Sequence, residues 1–145
     1  MQRKASAVWQ GGLKDGKGTI STESKVLSNR PYSFSTRFER GFGTNPEELI
    51  AAAHAACFSM ALSGQLEQAG FRVNSVRTTA AATLVKSGEI WSVTDLHLET
   101  DADVFGIGTE KFTILANEAK RNCPISRLLN ATITLNARLK LAEAG

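Results

Sequence analysis

A chain of 145 residues with 42% apolar and 21% charged side chains has the composition of an ordinary globular protein, long enough to bury roughly 70% of the surface its unfolded form exposes. It carries no repeat, low-complexity tract or like-charge block, so residues 1–145 are expected to form one ordered domain. The net charge of +3 comes from basic residues scattered singly among acids, which argues against a nucleic-acid-binding face.

Met1 to Lys14 contains basic residues with no apolar run behind them, so no secretory signal is expected. A cytoplasmic, reducing location follows as an expectation, and there a permanent disulfide is disfavoured. The first third reads as antiparallel β structure, with strands at Ala5 to Gln10, Gly18 to Ser21 and Tyr32 to Phe38. Gly11-Gly12, Asp15-Gly16 and Asn29-Arg30-Pro31 break them, and Gly41-Phe42-Gly43 ends the sheet.

The first helix is the best-marked element: Asn45 is placed to cap it, Pro46 suits its first position, and Glu48 stands where a capping-box carboxylate reaches back. Gly70 closes it. No charged residue lies between Leu49 and Leu66, a length able to cross a bilayer, but Ala51-Ala52-Ala53, His54, Ser59, Ser63 and Gln65 make it far less apolar than a membrane span. The reading is a helix buried on nearly every side, and one small domain can hardly wrap it, so part of its surface is expected to meet another subunit.

Val73 to Val85 and Glu89 to Thr100 predict a hairpin around Ser87-Gly88, with a bulge near Thr94 where the alternation changes phase. Thr109 is the expected cap of a second helix through Lys120, with Phe112, Leu115, Ala116 and Ala119 inward. Asn122 and Cys123 break it before Pro124, and Pro124 to Leu129 reads as a short third helix. The last strand alternates, with Ala131, Ile133, Leu135, Ala137 and Leu139 inward and Thr132, Thr134, Asn136, Arg138 and Lys140 outward. Strands, helix, hairpin, helix and strand in that order predict an α+β fold with antiparallel sheets.

Chemistry has few carriers here. Two cysteines and two histidines amount to four metal ligands, and His54 and Cys57 are three apart on one helix, but Cys123 and His97 lack the paired short spacings of structural zinc sites. His97 falls on the outward phase with Asp95 and Glu99. His54 alone is more often a satisfied helix histidine than a ligand. A Cys-His hydrolase needs a base on the nucleophile and a group orienting the base, and no nucleophile elbow or second well-placed histidine supplies them.

The thiols suit redox chemistry better. A sulfur reacts as thiolate, and a buried thiol resists ionising unless a cation stands beside it. Cys57 lies about three turns inside its helix, too deep for the helix dipole, so it needs a guanidinium or an ammonium. Arg37, in Ser35-Thr36-Arg37-Phe38-Glu39, is the candidate nearest the helix entrance; always protonated, it suits a peroxide oxygen and a leaving alkoxide. Cys123 sits at the cap position of the Pro124 helix, where backbone N–H groups are expected to point toward its sulfur. Against this stands the reading of both cysteines as small core hydrophobes.

Gly43-Thr44-Asn45-Pro46-Glu47-Glu48-Leu49-Ile50, continuing into Ala53-His54-Ala55-Ala56-Cys57-Phe58-Ser59-Met60-Ala61-Leu62, closely resembles the signature of the OsmC/Ohr family, the osmotically inducible and organic-hydroperoxide-resistance proteins. Asn122-Cys123-Pro124-Ile125-Ser126 resembles the family's second cysteine motif. Thr22-Glu23-Ser24 and Pro31-Tyr32-Ser33-Phe34 through Arg37-Phe38-Glu39 fit the OsmC branch better than the Ohr branch. The likeness covers nearly the whole chain.

The resemblance implies an OsmC-like fold, with antiparallel sheets around a long buried central helix in an intertwined homodimer. It implies an antioxidant, stress-response thiol peroxidase, an oxidoreductase that prefers organic hydroperoxides to hydrogen peroxide. Cys57 matches the peroxidatic cysteine, Cys123 the resolving cysteine that closes a redox-active disulfide, Arg37 the thiolate-stabilising arginine and Glu47 the carboxylate paired with it. It implies an external dithiol reductant, dihydrolipoyl groups of lipoylated proteins, and no metal, flavin, haem, nucleic acid or membrane partner.

Ten residues on one helix separate Glu47 from Cys57 by about 15 Å of rise, so either Arg37 bridges a long gap or Arg37 and Glu47 serve the cysteine of a second subunit. The second arrangement is preferred. Phe42, Met60 and Ile125 are candidate pocket residues, more easily read as plain core, and Arg40-Gly41-Phe42 departs from the family pattern at the pocket mouth. The alternative function is a non-catalytic dimeric binding or redox-sensing protein of the same fold.

Overall fold

The computed structural model describes residues 1–141, which divide into two compact units, one of residues 1–49 and one from residue 50 onward. In the first unit, β1 (Ala5–Gln10), β2 (Lys17–Thr22) and β3 (Arg30–Tyr32) form an antiparallel sheet in that order. Trp9 faces Gly18 in the register, and Gly18 faces Tyr32. A Cβ at Gly18 would lie 2.4 Å from the Tyr32 ring, so the glycine is what lets the tyrosine lie across the strand. Trp9 and Tyr32 then meet with ring centroids 5.4 Å apart.

The strand expected over Tyr32 to Phe38 is corrected: only its start extends the sheet, and α1 (Phe34–Phe38) is a short helix. The cause is a reciprocal cap. Ser33 Oγ accepts from the Thr36 N–H at 3.3 Å, and Thr36 Oγ1 accepts from the Ser33 N–H at 2.8 Å.

The long helix α2 (Pro46–Gln68) starts and stops where its sequence signals stand. Asn45 Oδ1 accepts from the Glu48 N–H at 2.8 Å while its amide donates to the Thr36 carbonyl at 3.0 Å, so one side chain caps α2 and ties it to α1. The Glu48 carboxylate does not reach back to Asn45; it accepts from the Thr44 hydroxyl at 2.8 Å. At the far end Gly70 takes φ +89°, and the bonds Gly70 N–H to Glu67 and Phe71 N–H to Leu66 complete a Schellman stop. Asn45→Ala removes both contacts, and we expect it to cost about 1–2 kcal/mol in urea unfolding.

By length and composition alone α2 is long and apolar enough to cross a membrane. Within the single chain its burial is one-sided: His54, Phe58, Leu62 and Leu66, four apart, are buried, whereas Ala52, Ala53, Ala56 and Met60 lie open.

In the second unit, β4 (Arg72–Ser87), β5 (Ile90–Phe105) and β6 (Thr132–Leu139) form a sheet in that order. Gly88-Glu89 makes the hairpin turn, with Gly88 at φ +61°. The register slips where Thr83 faces Asp95 and Leu84 faces Val93, leaving Thr94 as the bulge the phase change predicted. A further finding concerns direction: β6 runs parallel to β5, so this sheet is mixed.

Between β5 and β6 the chain crosses back through α3 (Thr109–Asn122) and α4 (Pro124–Leu128). Parallel neighbours need such a crossover, and α3 and α4 supply it. Thr109 is the first residue of α3 and Gly108 is its cap, without a side-chain bond. Phe112, Leu115, Ala116 and Ala119 face inward as expected. They pack with Phe58, Leu62, Leu66, Leu98, Ala102, Val104 and Cys123 into the core. A hydroxyl chain from Ser59 through Thr78 to the fully buried Thr100, at 2.8 and 2.9 Å, ties α2 to β4 and β5.

Candidate active site

The four expected site residues form two pairs, one in each unit. In the first unit Arg37 stands in α1, not in a strand, and Glu47 in the first turn of α2. Arg37 Nη2 donates to Glu47 Oε1 at 2.7 Å, and Arg37 Nε lies 3.2 Å from both carboxylate oxygens. Glu47 is buried, and the guanidinium offsets the cost of placing its carboxylate there. The Arg37 side chain remains 38% exposed, so the charge is held by Glu47 and still has an open side.

That open side faces a cavity of about 240 Å³ lined by Trp9, Leu13, Tyr32, Ser33, Phe34, Arg37, Phe38 and Pro46. Sequence reasoning missed it. The residues proposed for a pocket lie elsewhere: Phe42 and Met60 are 97% and 78% exposed, and Ile125 packs against the core of the second unit. The clustering of Trp9, Tyr32, Phe34 and Phe38 was the available signal, but α1 had to be recognised first.

In the second unit Cys57, half-buried on α2, meets the fully buried Cys123, which ends α3 and caps α4. Both are free thiols, and their sulfurs are in hydrogen-bond contact at 3.0 Å. Burial, followed by the bond shared with Cys123, pushes the Cys57 thiol above its ordinary value, and the Ile125 backbone N–H pulls it the other way. The expectation that N–H groups of the Pro124 helix serve the Cys123 sulfur is corrected. Cys123 makes no side-chain cap bond, Pro124 has no N–H, and the first free one, on Ile125, serves Cys57.

Beside the thiols lies a pair that sequence reasoning passed over. His54 Nε2 and Ser126 Oγ are 2.7 Å apart, and both residues are buried. His54 Nδ1 has no partner among the described residues. A proton on Nε2 therefore leaves only a lone pair unsatisfied, whereas the other tautomer would orphan an N–H. Burial pushes the imidazole down, which favours this neutral form.

The remaining histidine serves the sheet. His97 bonds Glu99 and Thr134, and Arg138 bonds Glu99 and Asp101, which pins β6 beside β5. Among the described residues no three His, Cys, Asp or Glu side chains converge as a metal site would require.

Comparison with known proteins shows the family of the chain. The family described as OsmC-like protein matches residues 39–138, a stretch holding Glu47, Cys57 and Cys123. The chain is 50% identical over 140 residues to peroxiredoxin OsmC of Escherichia coli (strain K12), covering 97% of this chain and 98% of that one. It is 29% identical over 127 residues to organic hydroperoxide resistance protein OhrB of Bacillus subtilis (strain 168), covering 85% and 89%. The crystal structure of Bacillus subtilis OhrB superposes with a TM-score of 0.67 at 23% identity, over 94% of this chain and 98% of that one. An OsmC-like protein from Mycoplasma pneumoniae superposes at 0.74 with 11% identity, over 97% and 99%, so the fold persists where little sequence is shared. With the family matched over most of its length and half its residues shared with a peroxiredoxin OsmC, this chain belongs to the OsmC-like protein family.

Proposed function

We propose that this protein, with residues 1–145 acting as one OsmC-like domain, is a thiol peroxidase that reduces organic hydroperoxides to alcohols. The observation that carries the reading is the approach of two free thiols to 3.0 Å, one half-buried and one fully buried. A disulfide needs about 2.05 Å between sulfurs, so about 1 Å of closure completes the bond. The names of the relatives, a peroxiredoxin and an organic hydroperoxide resistance protein, agree with it.

Cys57 as thiolate attacks one peroxide oxygen; the O–O bond breaks, the sulfur becomes a sulfenic acid and the alcohol leaves with a proton. Cys123 then attacks the Cys57 sulfur, the S–S bond forms and the sulfenic oxygen departs as water. An external dithiol, dihydrolipoyl in type, reduces the disulfide by exchange and is itself oxidised.

For the first step Cys57 needs a cation. Its thiol is pushed up by burial and by Cys123, against the Ile125 N–H, and no positive charge among the described residues offsets this. Arg37, held by Glu47, is the cation assigned to it. Glu47 and Cys57 are ten residues apart on α2, about 15 Å along the axis, so we assign the Arg37–Glu47 pair of one subunit to the Cys57 of a second copy. The open apolar stripe Ala52, Ala53, Ala56 and Met60 on α2 supports a homodimer that covers it.

The test is steady-state turnover with an alkyl hydroperoxide, comparing dihydrolipoamide with a monothiol at equal thiol concentration. Turnover is expected with the dithiol, at least about tenfold faster than with the monothiol, because a dithiol releases itself from the mixed disulfide by closing its own ring. No turnover with any dithiol would count against the reading.

A further inference from the structure

The side-chain contacts His54–Ser126 and Cys57–Cys123, which join α2 to the short segment that carries Cys123, are one turn apart on each side. His54 precedes Cys57 by three residues, and Ser126 follows Cys123 by three, so the segments run in opposite directions where they meet. His54, Cys123 and Ser126 are all buried. The His54–Ser126 bond is the histidine ring's single polar anchor among the described residues, since Nδ1 has none.

Packing alone does not call for this pair. Two apolar side chains would fill the same space without the desolvation cost of an imidazole and a hydroxyl. What a hydrogen bond adds is direction: it fixes the rotation and height of one segment against another. The α4 segment needs such fixing, because five residues are too few to hold a helix by themselves. Three of its features bear on the sulfurs: Cys123 at its cap, the Ile125 N–H aimed at Cys57, and Ser126 in the next position.

We infer that His54 and Ser126 are positioning residues for the second chemical step: their hydrogen bond holds α4 in the register that keeps the Cys123 sulfur over Cys57. The inference rests on the peroxidase reading. After hydroperoxide has oxidised Cys57 to the sulfenic acid, two fates compete. Attack by Cys123 forms the S–S bond and releases water; attack on a second hydroperoxide breaks another O–O bond, releases a second alcohol and leaves a sulfinic acid. The share of each depends on how often Cys123 stands within bonding reach, which is what the latch governs.

The experiment mixes reduced protein with excess organic hydroperoxide, blocks free thiols with an alkylating reagent at set times, and follows sulfenic acid, disulfide and sulfinic acid by intact mass. Wild type is compared with Ser126→Ala and Ser126→Thr, which lose and keep the hydroxyl. In Ser126→Ala the sulfenic acid is expected to form within about threefold of the wild-type rate, while disulfide closure slows roughly tenfold or more and sulfinic acid accumulates. Ser126→Thr is expected to restore the wild-type partition. His54→Leu, which fills the ring's space without a donor, is read in the same way and covers the case of a Ser126→Ala that does not fold.

Closure at the wild-type rate without added sulfinic acid in Ser126→Ala or, if that variant does not fold, in His54→Leu would overturn the inference. So would equal slowing of both steps in the alanine and threonine variants, which would indicate general loosening. Wild-type protein that never closes a disulfide would overturn the peroxidase reading itself; a cycling wild type beside an unaffected variant removes only the latch.

Discussion

Replacing Cys57 with serine is expected to lower hydroperoxide turnover by at least about a thousandfold, to the rate of the reductant alone, because the oxygen-accepting atom is gone and serine has no comparable nucleophilicity. Replacing Cys123 is expected to do something different. Cys123→Ser should still consume one equivalent of hydroperoxide per subunit, then stall as sulfenic acid and pass to sulfinic acid when oxidant is in excess. The two variants thus divide the cycle at its midpoint. Intact mass after a single addition reads the division directly, with no added oxygen in Cys57→Ser and one or two in Cys123→Ser. Equal turnover in wild type and Cys57→Ser would remove the mechanism and leave the binding or sensing alternative.

Removing the guanidinium is expected to have the next largest effect. Burial and the bond with Cys123 push the Cys57 thiol up, so without a cation most of it stays protonated at neutral pH and the reactive thiolate is scarce. Arg37→Ala is expected to slow oxidation of Cys57 at pH 7 by at least about a hundredfold, through loss of thiolate and of stabilisation for the leaving alkoxide. The sign of the pH dependence follows. In the variant the rate should climb about tenfold per pH unit until the raised thiol ionises, so the deficit shrinks in alkaline buffer. Wild type should already be near its plateau at neutral pH.

A composite site adds a sharper requirement. Cys57→Ser is expected to be inactive and Arg37→Ala severely slowed at pH 7, yet mixing them should recover activity above either alone, since a mixed dimer holds one Cys57 opposite one intact Arg37–Glu47 pair. No recovery after subunit exchange has been verified by mass would count against sharing between subunits.

What was legible in the sequence was local. Asn45, Pro46 and Gly70 mark the ends of α2 because caps act within four residues, and the Gly88 turn and Thr94 bulge follow from φ and from a change of phase. Local chemistry also produced the main error: Ser33-Phe34-Ser35-Thr36 reads as an alternating strand unless Thr36 is seen to return the cap of Ser33. The direction of β6 could not come from its alternation, which is the same for parallel and antiparallel partners. The order strand, helix, helix, strand permits a parallel neighbour without requiring one, so the direction comes from the tertiary packing. For the candidate site, family resemblance named Cys57, Cys123, Arg37 and Glu47, but the contacts between elements were out of reach. The two sulfurs are 66 residues apart in sequence, and His54 and Ser126 are 72 apart. No periodicity reports such a meeting.

One equivalent of an organic hydroperoxide, added to fully reduced protein and followed by a count of free thiols and an intact mass, tests the central claim most directly. The account predicts rapid loss of both thiols with a mass lower by two protons, and a slower course with hydrogen peroxide. Two thiols that persist through the addition would contradict it.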